Sequence, residues 1–209
     1  MKIVSSPIRF ALITLFLVGS FHSAEAQLLT EEVPAGWLRK REDTTSRSFS
    51  IFTGNRSGIP ISAVRGRAVE ISKMRLPYVF GGSSPSDGGM DCSGSIKHLL
   101  TSLGVQNVPR TSYQQYEWVK EHSRIKKAKS IQHGDLKPGD LIFWGGTYKS
   151  GHKVSHVMLY MGRGVDGKLY MYGARSKSLR GVGGAGVDVH VLRPGQHKNL
   201  IGYGRVPGL

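Results

Sequence analysis

Apolar positions along the chain become regular only after residue 60. Ile61, Val64, Val69, Ile71 and Met74 recur at helical spacing. This predicts an amphipathic helix over roughly 62–74 that ends before Pro77, because proline disfavours helical backbone at the residue ahead of it. Pro77 to Gly82 reads as extended and turning, and Ser83 to Met90 as a Ser/Gly/Pro loop. Ile96, Leu99, Leu100 and Leu103 follow the i, i+3, i+4, i+7 spacing of a buried face. Asp91 to Leu103 is therefore predicted helical, capped by Asp91 and stopped by Gly104. A further helix is predicted over 112–122, with Tyr113, Tyr116, Trp118 and Val119. The rest patterns as strands: Leu141 to Trp144 after the turn Lys137-Pro138-Gly139-Asp140, a hairpin of Val154 to Met161 with Leu169 to Tyr172 turning at Asp166-Gly167, the cleanly alternating Val187 to Leu192, and Ile201 to Val206. Helices first and strands later predict an α+β domain, with the helices on one side of an antiparallel sheet.

The first 60 residues do not share this patterning. Lys2 and Arg9 precede the short apolar run Phe10 to Phe21, and Ala24-Glu25-Ala26 supplies a small-x-small cleavage pattern. Charged region, apolar region and cleavage site in that order predict a signal peptide over 1–26. The run is short for a bilayer span, which needs roughly 20 residues. No transmembrane anchor is expected after cleavage. Residues 27–60 are polar, mixed in sign and without a sustained period, apart from a short element around Phe49 to Phe52. They read as an N-terminal extension, partly disordered, ahead of a single domain over 61–209.

Export changes how charge and cysteine are read. With 29 Lys and Arg against 14 Asp and Glu, the formal net charge is +15. That favours an anionic partner. No nucleic-acid motif is present, so the anionic surface of a cell envelope is the better candidate. Cys92 is the one cysteine, so no intramolecular disulfide forms, and the thiol is a buried spectator, an intermolecular link or a reactive group.

Cys92 falls at the start of a predicted helix, where free N–H groups and the positive end of the helix dipole favour thiolate over thiol. The same N–H groups suit an oxyanion formed by attack on a carbonyl. Gly81, Gly82, Gly88, Gly89 and Gly94 surround the position and leave room for a substrate backbone. Cys92 is also in register with Ile96 and Leu99, so periodicity alone does not separate a reactive from a structural thiol. A thiol nucleophile needs a proton acceptor, usually histidine. Of eight histidines, His156 and His190 lie in predicted strands, and His156 stands in the core-like stretch Val154-Ser155-His156-Val157-Met158.

Successive blocks then occur in a characteristic order: Pro77 to Gly82, Asp91-Cys92-Ser93-Gly94, Val108-Pro109-Arg110-Thr111-Ser112, Gln114 or Gln115, Lys137 to Phe143, and Ser155 to Gly162. From about Val64 to the C-terminus the chain resembles the NlpC family of cell-wall cysteine peptidases, which have a papain-like core. The resemblance implies Cys92 as nucleophile and His156 as base. It also implies that Tyr78 helps form the oxyanion site, and that Asp91 and Ser93 line the substrate pocket. The implied substrates are bacterial stem peptides, often cut between a γ-linked D-glutamyl residue and a diamino acid, and the implied location is the periplasm or cell exterior. No cofactor is implied. The family pattern also has a third polar residue that orients the base, and here the corresponding position aligns with Gly173. Tyr172, with the register slipped by one, and His190 are the substitutes.

His152 and His156 are four apart and with Cys92 offer three zinc ligands, but no second close pair of ligands accompanies them. Gly181 to Gly186 lacks the strand-to-helix context of a phosphate loop. Trp118, Trp144 and Tyr148 are candidates for stacking on sugars, with core packing the alternative for the two tryptophans. Three activities are compatible with these residues: stem-peptide hydrolysis through an acyl-enzyme, acyl transfer or amidase chemistry by the same Cys–His pair, and wall binding by a module of impaired activity.

Overall fold

Helices lead and strands follow in the computed structural model, which describes residues 58–176 and 181–209, all within one unit of the chain, Glu31–Leu209. The expected signal peptide, most of the expected extension and the element expected around Phe49 to Phe52 lie outside the described residues.

Helix α1 spans Ile61–Lys73 and buries Val64, Ala68, Val69 and Ile71. It stops as the periodicity predicts: Arg75 takes a left-handed φ of 52°, and Pro77 follows. Two short strands, β1 (Ser83–Ser84) and β2 (Gly89–Met90), pair antiparallel around a 3-10 turn at Pro85–Asp87. Two-residue strands carry no periodic signal, so this stretch patterns as loop in the sequence. Helix α2, Cys92–Ser102, is capped by Asp91, whose carboxylate accepts from the Gly94 N–H. It buries Ile96, Leu99 and Leu100 completely, each contributing roughly 1.5–3 kcal/mol of transfer free energy. Helix α3, Ser112–His122, opens with a reciprocal capping box between Thr111 and Gln114.

The strands are β3 (Lys126–Lys127), β4 (Ser130–Ile131), β5 (Asp140–Trp144), β6 (His156–Arg163), β7 (Leu169–Ala174), β8 (Val187–Leu192), β9 (Gly195–Gln196) and β10 (Leu200–Arg205). Six of them form one antiparallel sheet in the order β3-β10-β5-β6-β7-β8, and β4 pairs with β9. The expected α+β class and helix-on-sheet packing are present, and every long element lies within about two residues of its predicted place.

The sheet is covered on both faces. Leu141, Phe143, Val157, Leu159, Tyr172, Val187 and Val189 join the helices in one core. Ile142, Trp144, Met158, Tyr160, Met171 and Leu192 form a second core with Ile131 and Leu136. Double coverage explains why β5 reads as an unbroken apolar run rather than an alternating one. Among the described residues, no helix is long and apolar enough to cross a membrane.

The glycines around Cys92 serve the protein's own backbone. A Cβ at Gly94 would lie 2.1 Å from the Gly82 carbonyl oxygen, and one at Gly82 would lie 2.2 Å from the Gly89 oxygen. The chain before the helix crosses itself at van der Waals distance, so the room expected for a substrate is filled at these positions. Gly94 is not in the left-handed region, so its constraint is contact rather than φ. Gly94→Ala is expected to destabilise the fold by about 3 kcal/mol, the upper end of overpacking costs, because backbone rather than a flexible side chain must move. Urea unfolding measures this, and a variant within error of wild type contradicts the crossing.

Candidate active site

The start of α2 is fixed from three directions. The Asp91 carboxylate accepts from the Gly94 N–H at 2.7 Å, the Gly81 N–H at 3.0 Å and the Ser93 hydroxyl at 3.1 Å. Arg110 meets the same carboxylate with both guanidinium nitrogens, at 3.0 and 2.8 Å. Arg110 also donates to the carbonyls of Gly81 and Gly82. Gln115, fully buried on α3, donates to the Ser93 and Pro109 carbonyls, each at 2.9 Å. Ser95 completes the attachment, accepting from the Ala174 N–H on β7 at 3.0 Å and donating to the Cys92 carbonyl at 2.9 Å. Arg110 is the site residue that the sequence reading left without a role, although it stands inside the Val108 to Ser112 block.

Asp91 and Ser93 are 7 % and 5 % exposed. They belong to this clamp and line neither cavity beside His156. Their polar atoms are committed to Arg110 and the helix cap.

The Cys92 thiol is 6 % exposed. Backbone N–H groups of Val157, Ser93 and Cys92 itself donate toward its sulfur. Val157 follows His156 at the start of β6, and it lies in the same core as Cys92. Burial, reinforced by the Asp91 charge, outweighs these donors and pushes the thiol up to about 11. The lowered pKa expected from a helix start is thus overturned: the sulfur lies too deep for the helix N–H groups to offset its desolvation. Burial, then electrostatic interaction with Arg175 and His190, pulls His156 down to about 4.

Tyr78 is half-buried, and burial followed by the Cys92 and Asp91 charges pushes its phenol up to about 12. The same two charges act on Tyr148, in the β5–β6 connection. Tyr148 packs edge-on against Phe80 at a ring separation of 5.5 Å, and His152 stacks on Tyr113 of α3 at 3.6 Å. The β5–β6 connection thereby touches both the Pro77–Gly82 segment and α3. Trp118 and Trp144 are 8 % and 9 % exposed and belong to the cores, whereas Tyr148 is 46 % exposed.

Gly173 pairs with Asp188, and the Met158 thioether sits where its side chain would grow, 2.7 Å from a Cβ built there. Tyr172 pairs with Leu159 and Val189, fully buried in the helix-side core. By strand alternation His156 belongs with Met158 on the other face, so Tyr172 points away from it. His190, 2 % exposed opposite Met171, lies on the His156 side, and both imidazoles line one cavity.

An α+β domain with a thiol at a helix start, held beside a strand that begins with histidine, is the class that fold and site define. The NlpC/P60 family matches residues 75–187, and the chain belongs to that family. Over 90 residues it is 37 % identical to a Gamma-DL-glutamyl hydrolase of Bacillus subtilis, covering 43 % of this chain and 19 % of that protein. Over 88 residues it is 39 % identical to the Bifunctional muramidase/DL-endopeptidase CwlT of Bacillus subtilis, covering 42 % of this chain and 23 % of that protein. The chain thus spans less than a quarter of either relative. A crystal structure of a lipoprotein-like NLP/P60 family protein from Staphylococcus aureus superposes with a TM-score of 0.48 at 27 % identity, over 78 % of this chain and 45 % of that one.

Two outcomes follow from this geometry. Arg110→Ala is expected to destabilise the protein by about 2–3 kcal/mol by leaving the Asp91 carboxylate without its cation. Arg110→Lys should restore only part of this, since an ammonium cannot fork across two oxygens; equal midpoints for both variants in urea would contradict the clamp. From about pH 4, where His156 becomes neutral, to about pH 11, where Cys92 ionises, the resting pair is imidazole and thiol. Alkylation of Cys92 by iodoacetamide should therefore quicken about tenfold per pH unit between roughly pH 7 and 10. A plateau near neutrality would mean that a thiolate–imidazolium pair is already formed.

Proposed function

We propose that the protein hydrolyses the peptide part of bacterial peptidoglycan through a cysteine acyl-enzyme, with Cys92 as nucleophile and His156 as base. The observation that carries this reading is the shared core that holds Cys92, at the start of α2, with Val157, the residue after His156 at the start of β6. Both residues fall inside the family match. With imidazole and thiol both neutral at rest, His156 takes the thiol proton as the sulfur attacks the scissile carbonyl. The N–H groups at the helix start, with the Tyr78 hydroxyl beside them, receive the oxyanion. Collapse breaks the C–N bond, His156 returns the proton to the leaving amine, and a thioester remains. Water then attacks the thioester by the reverse use of the same histidine, releasing the carboxylic acid and the thiol.

The relatives named for γ-DL-glutamyl hydrolase and DL-endopeptidase activity support a γ-D-glutamyl–diamino acid bond as the point of cleavage. The net charge of +15 favours a substrate with free carboxylates at an anionic envelope. The apolar run before Ala24-Glu25-Ala26 supports export to the periplasm or cell exterior.

A second reading, wall binding with impaired turnover, is favoured by Gly173 and the Met158 thioether over it, which leave His156 without an orienting side chain from that position. Purified wall incubated with the mature protein, with muropeptides read by mass spectrometry, separates the two. Wild type is expected to release new peptide products, and Cys92→Ala and His156→Ala to reduce them at least about a hundredfold. Wall that binds the protein but stays uncut selects the second reading.

A further inference from the structure

Acidic residues are sorted unevenly along the domain. No Asp or Glu occurs between Glu121 and Asp135, between Asp140 and Asp166, or after Asp188. Strand pairing gathers these three stretches. β4 pairs with β9 through Ser130 with Gln196 and Ile131 with Gly195, and the His197 N–H donates to the Lys129 carbonyl at 3.3 Å. Lys198 is therefore carried beside Lys129, with Arg193 just ahead of β9 and Lys127 at the end of β3. The turn after β9 closes with the Leu200 N–H on the His197 carbonyl at 3.2 Å, and its Asn199 carbonyl accepts from the Gly145 N–H at 2.9 Å. A Cβ at Gly145 would lie 2.4 Å from the Lys153 carbonyl oxygen, so the β5–β6 connection brings Lys153 to the same turn. Ile131 and Leu200, both buried, pin the ribbon to the second core.

Lys127, Lys129, Lys153, Arg193 and Lys198 are exposed. None forms an ion pair with a carboxylate among the described residues. The helices differ: Arg67 pairs with Glu70 and Lys120 with Glu117. Charge needed for solubility alone does not require this sorting. Neighbouring strands lie about 5 Å apart, inside a screening length of about 8 Å at physiological salt. The ribbon cations therefore repel one another, and a ligand with several linked negative charges relieves that repulsion at each of them.

We propose that the β4–β9 ribbon, with Lys127 and Lys153 beside it, is a docking surface for a linear, phosphate-bearing polymer of the cell envelope. Lysines dominate it, and an ammonium meets phosphate as a point charge, whereas recognition of a carboxylate favours the fork of arginine. A bilayer is the poorer match. Membrane binding adds apolar burial to charge, and among the described residues no exposed large apolar side chain lies within 126–133 or 193–198. Arg193 and Lys198 also line the cavity of about 880 Å³ shared by His156 and His190, so the docking surface runs up to the candidate active site. Docking is separate from turnover and needs neither Cys92 nor His156.

The test is binding of the mature Cys92→Ala protein to long-chain inorganic polyphosphate, followed by fluorescence anisotropy across a range of salt concentrations. Affinity is expected to fall steeply as salt rises. Lys127→Gln, Lys129→Gln and Lys198→Gln together should weaken binding at least about tenfold and flatten the slope of log affinity against log salt by about 3, roughly one per lost phosphate contact. The thermal midpoint should stay in place, because exposed cations without partners contribute little to stability. Lys73→Gln, Arg75→Gln and Lys97→Gln remove the same charge from the helical side and should leave the slope unchanged. If this second set weakens binding as much as the first, net charge rather than the ribbon holds the polymer, and the proposal fails. Poly-L-glutamate of equal length binding as tightly overturns it too. So do vesicles of phosphatidylglycerol and phosphatidylcholine that bind as tightly at equal phosphate, in favour of a membrane. The wall-cleavage assay is read separately. A protein that cuts wall yet ignores polyphosphate sinks the docking surface alone, and one that binds through the ribbon but cuts nothing sinks the hydrolytic reading alone.

Discussion

The bond between Asp91 and Arg110 is the constraint on which the rest of the site depends. One carboxylate caps the helix that begins with Cys92, holds the Gly81 N–H, takes the Ser93 hydroxyl and receives both arms of a guanidinium. Arg110 in turn gathers the carbonyls of Gly81 and Gly82. A helix start is ordinarily its most frayed turn. Here it is the most heavily connected one, and the nucleophile's candidate position inherits that rigidity.

Rigidity has an electrostatic consequence. A thiol held this deep loses more from desolvation than it gains from three backbone donors, so it rests protonated. His156, half-buried beside Arg175 and His190, rests neutral. In the proposed reaction, a site with this balance moves a proton during attack rather than storing a charged pair.

The sheet separates two tasks. Its helix-side face, through Val157, Leu159 and Tyr172, anchors the helix bearing the thiol. Its other face, through Trp144, Met158 and Met171, backs the large cationic cavity. His156, at the first position of β6, stands where the two sides meet. The Met158 thioether fills the space into which a side chain at position 173 would grow.

The element order, the helix faces at Ile96, Leu99 and Leu100, and the pairing of Cys92 with His156 as candidates were legible in the sequence, because apolar periodicity and local motif spacing are written in neighbouring residues. The Asp91 cap was equally local. The role of Arg110, 19 residues from Asp91 along the chain, was not, since an ion pair across that distance leaves no periodic trace. Nor was the use of Gly82 and Gly94 as a backbone crossing, which looks in sequence like space for a ligand. Tyr172 illustrates the same limit at a scale of one residue: strand alternation decides which face a side chain takes, and only the register of β6 against β7 reveals it. The sequence by itself determined the fold class and the two residue types brought to the helix and the strand. Tertiary structure alone decided the protonation of that pair and the cationic cavity beside it, because burial and charge are set by residues distant in the chain.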